Sequence, residues 1–340
     1  MQFSKHMLEI DPELETERIV SELRQNIRKV MRRYGGVVGV SGGVDSAVVL
    51  ALCVRAFGPA RVAAIIIPEK DSDPESEVLA GMVATHYGVE PVLEDITAAL
   101  EGFGCYARRD EAIYSVFPEY DADKGYKAKI VLPQNLLDED TLSVFNLTII
   151  TPDGEEKTQR LPLREYLQIV AASNFKQRTR MAMLYYHAEL RNYAVIGTSN
   201  KNEHDQGFFV KYGDGGVDIQ TIGHLFKTQV YQLAEYLDVP QKIQKRTPTT
   251  DTYSAQCTQQ EFFYRLPFET MDLLWYAQEQ NIPIPEISKE MGLTPAQIQR
   301  AFTDFTRKQR TTEYLRLAPI QIDLGNRSTE LSYTTSQIAD

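Results

Sequence analysis

Cysteine is scarce in this chain of 340 residues: Cys53, Cys105 and Cys257 stand far apart and form no Cys-x-x-Cys pair. That speaks against a disulfide framework and against a thiolate zinc site. The five histidines also show no metal-ligand spacing. No apolar run approaches the roughly 20 residues needed to cross a bilayer. The first residues, MQFSKHMLEIDPELETERIV, carry acids where a signal peptide has its apolar core. An excess of cations is missing as well. The net charge of −11 argues against the broad basic face of a nucleic-acid binder. It still leaves room for a local cluster of Lys and Arg around a small anion. There is no low-complexity tract and no internal repeat. With 43% hydrophobic and 24% charged residues, the expectation is a cytoplasmic globular protein with neither nucleic acid nor membrane as partner.

What is present centres on residues 39–46, GVSGGVDS: Gly39, Val40, Ser41, Gly42, Gly43, Val44, Asp45 and Ser46. Val37 and Val38 precede them, and the apolar run AVVLALCVRAF (47–57) follows. That order reads as a buried strand, a glycine turn and a helix start. Glycines let the backbone approach a ligand, and the new helix aims unpaired N–H groups at the same point. Ser41 and Ser46 add hydroxyls, and Asp45 a carboxylate suited to a divalent cation. The stretch is a cradle for phosphate or pyrophosphate, and it lacks the longer, lysine-ended Walker loop.

Around it, residues 11–34 read as an amphipathic helix with Ile19, Leu23, Ile27 and Val30 on its apolar face. RVAAIIIP (61–68) and PVLEDI (91–96) read as strands, and 74–88 as a helix ended by Gly88. This alternation predicts an α/β fold, a doubly wound parallel sheet with helices on both faces, whose ligands bind at the carboxyl ends of the strands. From about 104 to 166 the rhythm changes to short strands at 127–133, 142–150 and 156–162, with a hairpin signal at TPDGEE. This β-rich insertion is expected to be a surface elaboration or packing surface rather than a lid. A helix at 174–190, a strand at 193–199 and a helix at 224–240 resume the pattern. An irregular helical part runs from about 255 to 340, so that 1–340 forms one domain.

Several later stretches are more polar than packing requires. NFKQRTRM carries Arg178 and Arg180, and one of them is suited to a ligand carboxylate or phosphate. GTSNKNE ends a strand with Thr198 and places Glu203 where, with Asp45, it could complete a Mg²⁺ site through triphosphate oxygens. GFFVKYGDGGVD is a glycine-rich loop that projects Lys211 and Asp218, and Lys227 follows on the next helix. TPTTDTYS holds Thr249 in a polar turn.

SGGVDS resembles the signature loop of the PP-loop ATP pyrophosphatases, whose fold is adenine nucleotide alpha hydrolase-like. Together with NFKQRTRM, GTSNKNE, GFFVKYGDGGVD, LFKTQV and PTTD, in that order, the chain closely resembles the NAD synthetase family. The resemblance implies that residues 39–46, Thr198, Lys227 and Thr249 contact ATP, and that Asp45 and Glu203 hold Mg²⁺. It assigns Arg178, Lys211 and Asp218 to deamido-NAD, bound across a homodimer interface. The family's His-Lys pair near the C-terminus corresponds to Arg307-Lys308, which adds Lys308 to the substrate contacts. The family also carries acids where this chain reads CTQQEFF (257–263). The implied reaction adenylates the nicotinate carboxylate with ATP, then lets ammonia displace AMP, with no covalent nucleophile on the protein. Glutamine-using members carry an amidase domain ahead of the loop, so free ammonia is the expected donor here. The alternatives are another adenylating PP-loop enzyme, such as a GMP synthetase or a tRNA-thiolating enzyme, and a nucleotide-binding sensor without turnover.

Overall fold

The computed structural model describes residues 3–133, 136–137, 145–250 and 252–322. Asp11 caps helix α1 (Pro12–Arg24) by accepting from the amides of Glu13 and Leu14. A π-helical stretch, Gln25–Val30, prolongs it. Ile19, Leu23 and Ile27 are buried as expected, but Val30 is 67% exposed. The change from i→i+4 to i→i+5 bonding shifts the phase of the helix and carries Val30 out of the apolar stripe. Strand β1 (Gly36–Gly39) then leads through the glycine turn into α2 (Val44–Phe57). That helix is apolar on nearly every side because it lies inside the molecule, between the sheet and α1.

Strand β2 (Val62–Ile66) is buried at every position, as befits the interior of a parallel sheet. Helix α3 (Pro74–His86), capped by Asp73, and β3 (Pro91–Leu93) complete the first half. Two helices follow, α4 (Thr97–Gly102) and α5 (Cys105–Val116). The first part of the expected β-rich insertion is therefore helical. Its strands are β4 (Lys127–Val131), β5 (Asn146–Ile150) and β6 (Glu156–Arg160), an antiparallel sheet in the order β4-β5-β6. Residues 142–144 of the expected middle strand lie outside the described residues. One face of this sheet, with Ala128, Ile130, Leu147 and Ile149, is buried against Ile113, Phe117, Ile169, Tyr253 and Cys257. The strands cover a core of their own, which an unattached flap would not do.

Helix α6 (Leu163–Arg191) is far longer than the expected 174–190. It packs along α5 and reaches β1 and the next strand. Then come β7 (Ala194–Gly197), α7 (Lys201–Gln206), β8 (Ile219–Gln220), α8 (Lys227–Tyr236) and α9 (Gln241–Gln244). The last third forms α10 (Phe268–Glu279), α11 (Ile284–Met291), α12 (Pro295–Thr311) and α13 (Glu313–Arg316). Trp275, Ile287, Ile298 and Phe305 hold α10, α11 and α12 together and bury Phe3 and Leu8 of the N-terminal segment with them. No helix among the described residues is long and apolar enough to cross a membrane.

The main sheet has the order β3-β2-β1-β7-β8 with parallel pairing throughout. Its winding reverses between β1 and β7. A crevice outside the carboxyl ends of the strands belongs at such a reversal, and the two loops that meet there are 40–43 and 198–200.

Candidate active site

A cleft of about 1000 Å³ opens at that reversal. The turn after β1 forms its floor. Gly42 takes φ +76°, and a Cβ there would lie 2.6 Å from the Ser76 carbonyl oxygen, so the turn can approach α3 only with glycine. The serines close the turn from within. Ser46 donates to the Gly43 carbonyl at 2.9 Å and accepts from the Ser41 amide at 3.2 Å, and Ser41 Oγ accepts from the Gly43 amide at 3.3 Å. Gly39, Val40, Ser41, Gly43, Val44, Asp45 and Ser46 line the cleft, while Gly42 faces α3.

Arg178, Thr198, Glu203, Lys211, Lys227 and Thr249 line the same space, joined by Arg180. Two expected residues do not. Asp218 turns to the sheet, where its carboxylate accepts from the Val195 amide at 2.8 Å and from the Tyr185 hydroxyl at 3.2 Å. Lys308 pairs with Asp304 at 2.7 Å and donates to the Phe263 carbonyl at 2.8 Å. Burial holds its ammonium below the ordinary lysine range despite Asp304. In the C-terminal part it is instead Thr312, Tyr314 and Leu315 that face the cleft. Lys211 holds this segment by donating to the carbonyls of Tyr314 and Leu317 at 2.9 and 2.8 Å.

The charged centre lies between the loops after β1 and β7. Asp45 pairs with Lys227, which is 1% exposed, and accepts from Asn200 Nδ2 at 3.0 Å. Asn200 and Glu203 form a capping box at the start of α7. Asn200 Oδ1 accepts from the Glu203 amide at 3.1 Å, and Glu203 Oε2 accepts from the Asn200 amide at 3.2 Å. Glu203 Oε1 accepts from Gln259 Nε2 at 3.2 Å. Burial, with the nearby Asp45 charge, pushes Glu203 up to about 8. Burial would depress the Lys227 ammonium, but Asp45 and Glu203 outweigh it and hold Lys227 above the ordinary lysine range. Among the described residues no three His, Cys, Asp or Glu converge to hold an ion unaided. Two carboxylates that crowd one another beside a phosphate cradle nevertheless suit Mg²⁺, which takes one or two carboxylates and completes its shell from substrate phosphates and water.

The model of the NAD synthase family matches residues 15–116 and 122–316. The chain belongs to the NAD synthase family. By that membership it is an ATP-using, amide-forming ligase of NAD biosynthesis. The family match includes all three strands of the small sheet and is interrupted only at 117–121. A curated relative, the NH(3)-dependent NAD(+) synthetase of Rhizobium rhizogenes, is 46% identical over 319 residues, covering 94% of this chain and 95% of the relative. Among solved structures, the NH3-dependent NAD synthetase from Campylobacter jejuni in complex with the nitrate ion superposes with a TM-score of 0.60. It is 22% identical and covers 93% of this chain and 100% of its own. The NMN synthetase from Francisella tularensis superposes with a TM-score of 0.58 at 22% identity, with the same coverage. At that identity the two structures show the fold of the family.

Some residues at the site escape a reading of the sequence. Asn200 was legible in principle, since N-x-x-E after a strand is a capping signature. Gln259 carries no such signal, because its partner Glu203 is 56 residues away in the chain. Arg246 likewise reaches Ser76 at 2.8 Å and Asp73 at 3.3 Å from a distant segment, and all three line the cleft.

Proposed function

We propose that this enzyme converts deamido-NAD, ATP and ammonia into NAD, AMP and pyrophosphate, as a cytoplasmic homodimer with Mg²⁺ at Asp45 and Glu203. The observation that carries the reading is the joining of the phosphate cradle to Asp45, Lys227 and Glu203 at one floor of one cleft. When bound, Mg²⁺ would neutralise triphosphate charge and make the pyrophosphate a better leaving group. The chain's own groups do the rest. The N-terminus of α2 directs amide N–H groups at the phosphates. Lys227, buried and held charged, supplies a fixed cation once Asp45 is drawn to other partners.

Thr198 and Thr249 face the cleft where the rest of ATP would lie, and Arg178 offers a fork of N–H donors to the substrate's carboxylate or phosphates. A carboxylate oxygen of the nicotinate ring attacks the α-phosphorus, and pyrophosphate leaves toward the cradle. Ammonia nitrogen then attacks the acyl carbon, AMP departs with the bridging oxygen, and the surplus proton passes to solvent. The reaction requires no protein nucleophile. Ammonia as donor is supported by the relative from Rhizobium rhizogenes, whose name carries it. A second copy is supported by the apolar residues exposed at both ends of α6, Leu163 and Leu167 near its start and Tyr186 and Leu190 near its end.

The test is AMP formation with ATP and ammonium, offering deamido-NAD, nicotinate mononucleotide or xanthosine monophosphate as acceptor. The expected result is product from deamido-NAD at least about 100-fold faster than from the other two, a preference of roughly 3 kcal/mol. A preference for either competitor overturns the reading. Light scattering should give twice the chain mass.

A further inference from the structure

Helix α6 carries a cation that the reaction above does not use. Lys176 is fully buried, and its ammonium faces three oxygens, two of which it reaches by hydrogen bonds. It pairs with Glu69 at 2.9 Å and with Asp71 at 2.7 Å, and donates to the Thr252 carbonyl at 2.9 Å. It also lies 5.7 Å from the centre of the Tyr106 ring. The network runs on around it: Asp71 also pairs with Arg109, which pairs with Asp110, and the Tyr106 hydroxyl donates to Glu69 Oε2 at 2.7 Å.

The segments gathered here are α5, α6, the turn after β2 and the residues 249–250 and 252–253. The last two are walls of the cleft, through Glu69, Ser72 and Asp73 on one side and Thr249, Thr250 and Tyr253 on the other. A second cavity, of about 410 Å³, lies behind them, and Ser72, Asp73, Thr249, Thr250 and Tyr253 face both spaces. The wall has open volume on each side at these residues, and Tyr253 roots it in the core of the small sheet. Lys176 bonds both halves, Asp71 on one and the Thr252 carbonyl on the other, to the long helix α6.

We propose that Lys176 is a positioning residue for the ATP site, setting the turn 69–73 against Thr252 and its neighbours Thr249 and Thr250, and so placing Thr249 in the cleft. The inference rests on the proposed use of ATP, and formation of NAD by the unaltered enzyme checks that reading separately. Lys176→Met alone would leave the buried Glu69 without its ion-pair partner, so the informative variant is Lys176→Met with Glu69→Gln, which keeps the net charge, leaves Asp71 paired with Arg109 and takes the bridging donor from Asp71 and the Thr252 carbonyl. If Lys176 served folding alone, restoring the balance would restore the kinetics. The expected result is instead a KM for ATP raised about tenfold, the value of one lost charge-assisted hydrogen bond, with KM for deamido-NAD changed less than about twofold. Glu69→Gln alone, which retains the bond to Thr252, should keep KM for ATP within about threefold of the unaltered enzyme. Tyr106→Phe preserves every charge and removes only the hydroxyl that steadies Glu69; it should raise KM for ATP about threefold and keeps the idea testable if the double variant does not fold. Unchanged KM for ATP in either the double variant or Tyr106→Phe overturns the proposal. So does an equal rise for both substrates.

Discussion

Glu203→Gln should make the ligand-free enzyme more stable in alkali while abolishing the proposed Mg²⁺ site. Glu203 is pushed from 4.5 to about 8 by burial and by Asp45. An acid whose folded value lies above its unfolded value loses stability as pH rises between the two, because the unfolded chain ionises first. Below about 4.5 the carboxyl is neutral in both states and costs nothing. Above about 8 the full penalty applies. At about 1.4 kcal/mol per pH unit, the ceiling for a displacement of this size is about 5 kcal/mol. The glutamine carbonyl can accept from the Asn200 amide or from Gln259, but not as well from both as two carboxylate oxygens do. That loss is worth about 1–2 kcal/mol, and Lys227 also forfeits a favourable neighbour. A net gain of about 1–3 kcal/mol at pH 9 remains, which is a rise of a few degrees in Tm for a chain of this size. The assay is thermal unfolding of both proteins without ligands from pH 5 to 9. The gap should widen with pH and then level off near 8. A variant less stable at pH 9, or a gap that does not change with pH, refutes the reasoning.

Asp45→Asn removes both the partner of Lys227 and the proposed Mg²⁺ ligand, so pyrophosphate release in a single turnover should slow at least about 100-fold. Near-normal rates at saturating Mg²⁺ would exclude that role. Ile149→Ala takes a fully buried side chain from the small sheet, which shares its core with Tyr253; it should cost about 2–5 kcal/mol in denaturant unfolding. A loss under about 0.5 kcal/mol would mean that the sheet is only loosely attached. Because the attacking species is NH₃ while ammonium prevails at neutral pH, the rate at subsaturating total ammonium should climb about tenfold per unit just above pH 7. A flat profile there would point to a different nitrogen donor or a different limiting step.

The parallel sheet was legible because its central strands are buried on both faces. VAAII reads as a continuous apolar run for that reason, and the glycine turn after β1 has its own chemistry. The start of α6 was not legible. Pro162 looks like the end of the insertion, yet proline also stands well just before a helix, and α6 begins with the next residue. The length of the insertion was overestimated for the same reason, since Cys105–Val116 has only weak amphipathicity until α6 is packed beside it. Among the site residues, those at strand ends were easiest to place, because a parallel sheet aims all such loops at one crevice. Asp218 also follows a loop, but it turns back to the Val195 amide, a choice made by sheet pairing and invisible to residue type. Lys308 did leave a trace. Asp304 stands four residues earlier on the same helix, the spacing of an ordinary intrahelical pair, and that pair is what it makes. Gln259 and Lys176 depend on partners from distant segments, and no local pattern could reveal them.

Transfer of oxygen tests the adenylate most directly. Deamido-NAD labelled with oxygen-18 in both oxygens of its nicotinate carboxylate is turned over with ATP, Mg²⁺ and ammonium, and the phosphorus-containing products are weighed by mass spectrometry. If the carboxylate attacks the α-phosphorus and ammonia then displaces AMP, one labelled oxygen must appear in AMP, in equal amount to the NAD formed, with none in pyrophosphate. Label in inorganic phosphate accompanied by ADP, or AMP free of label, would contradict the account.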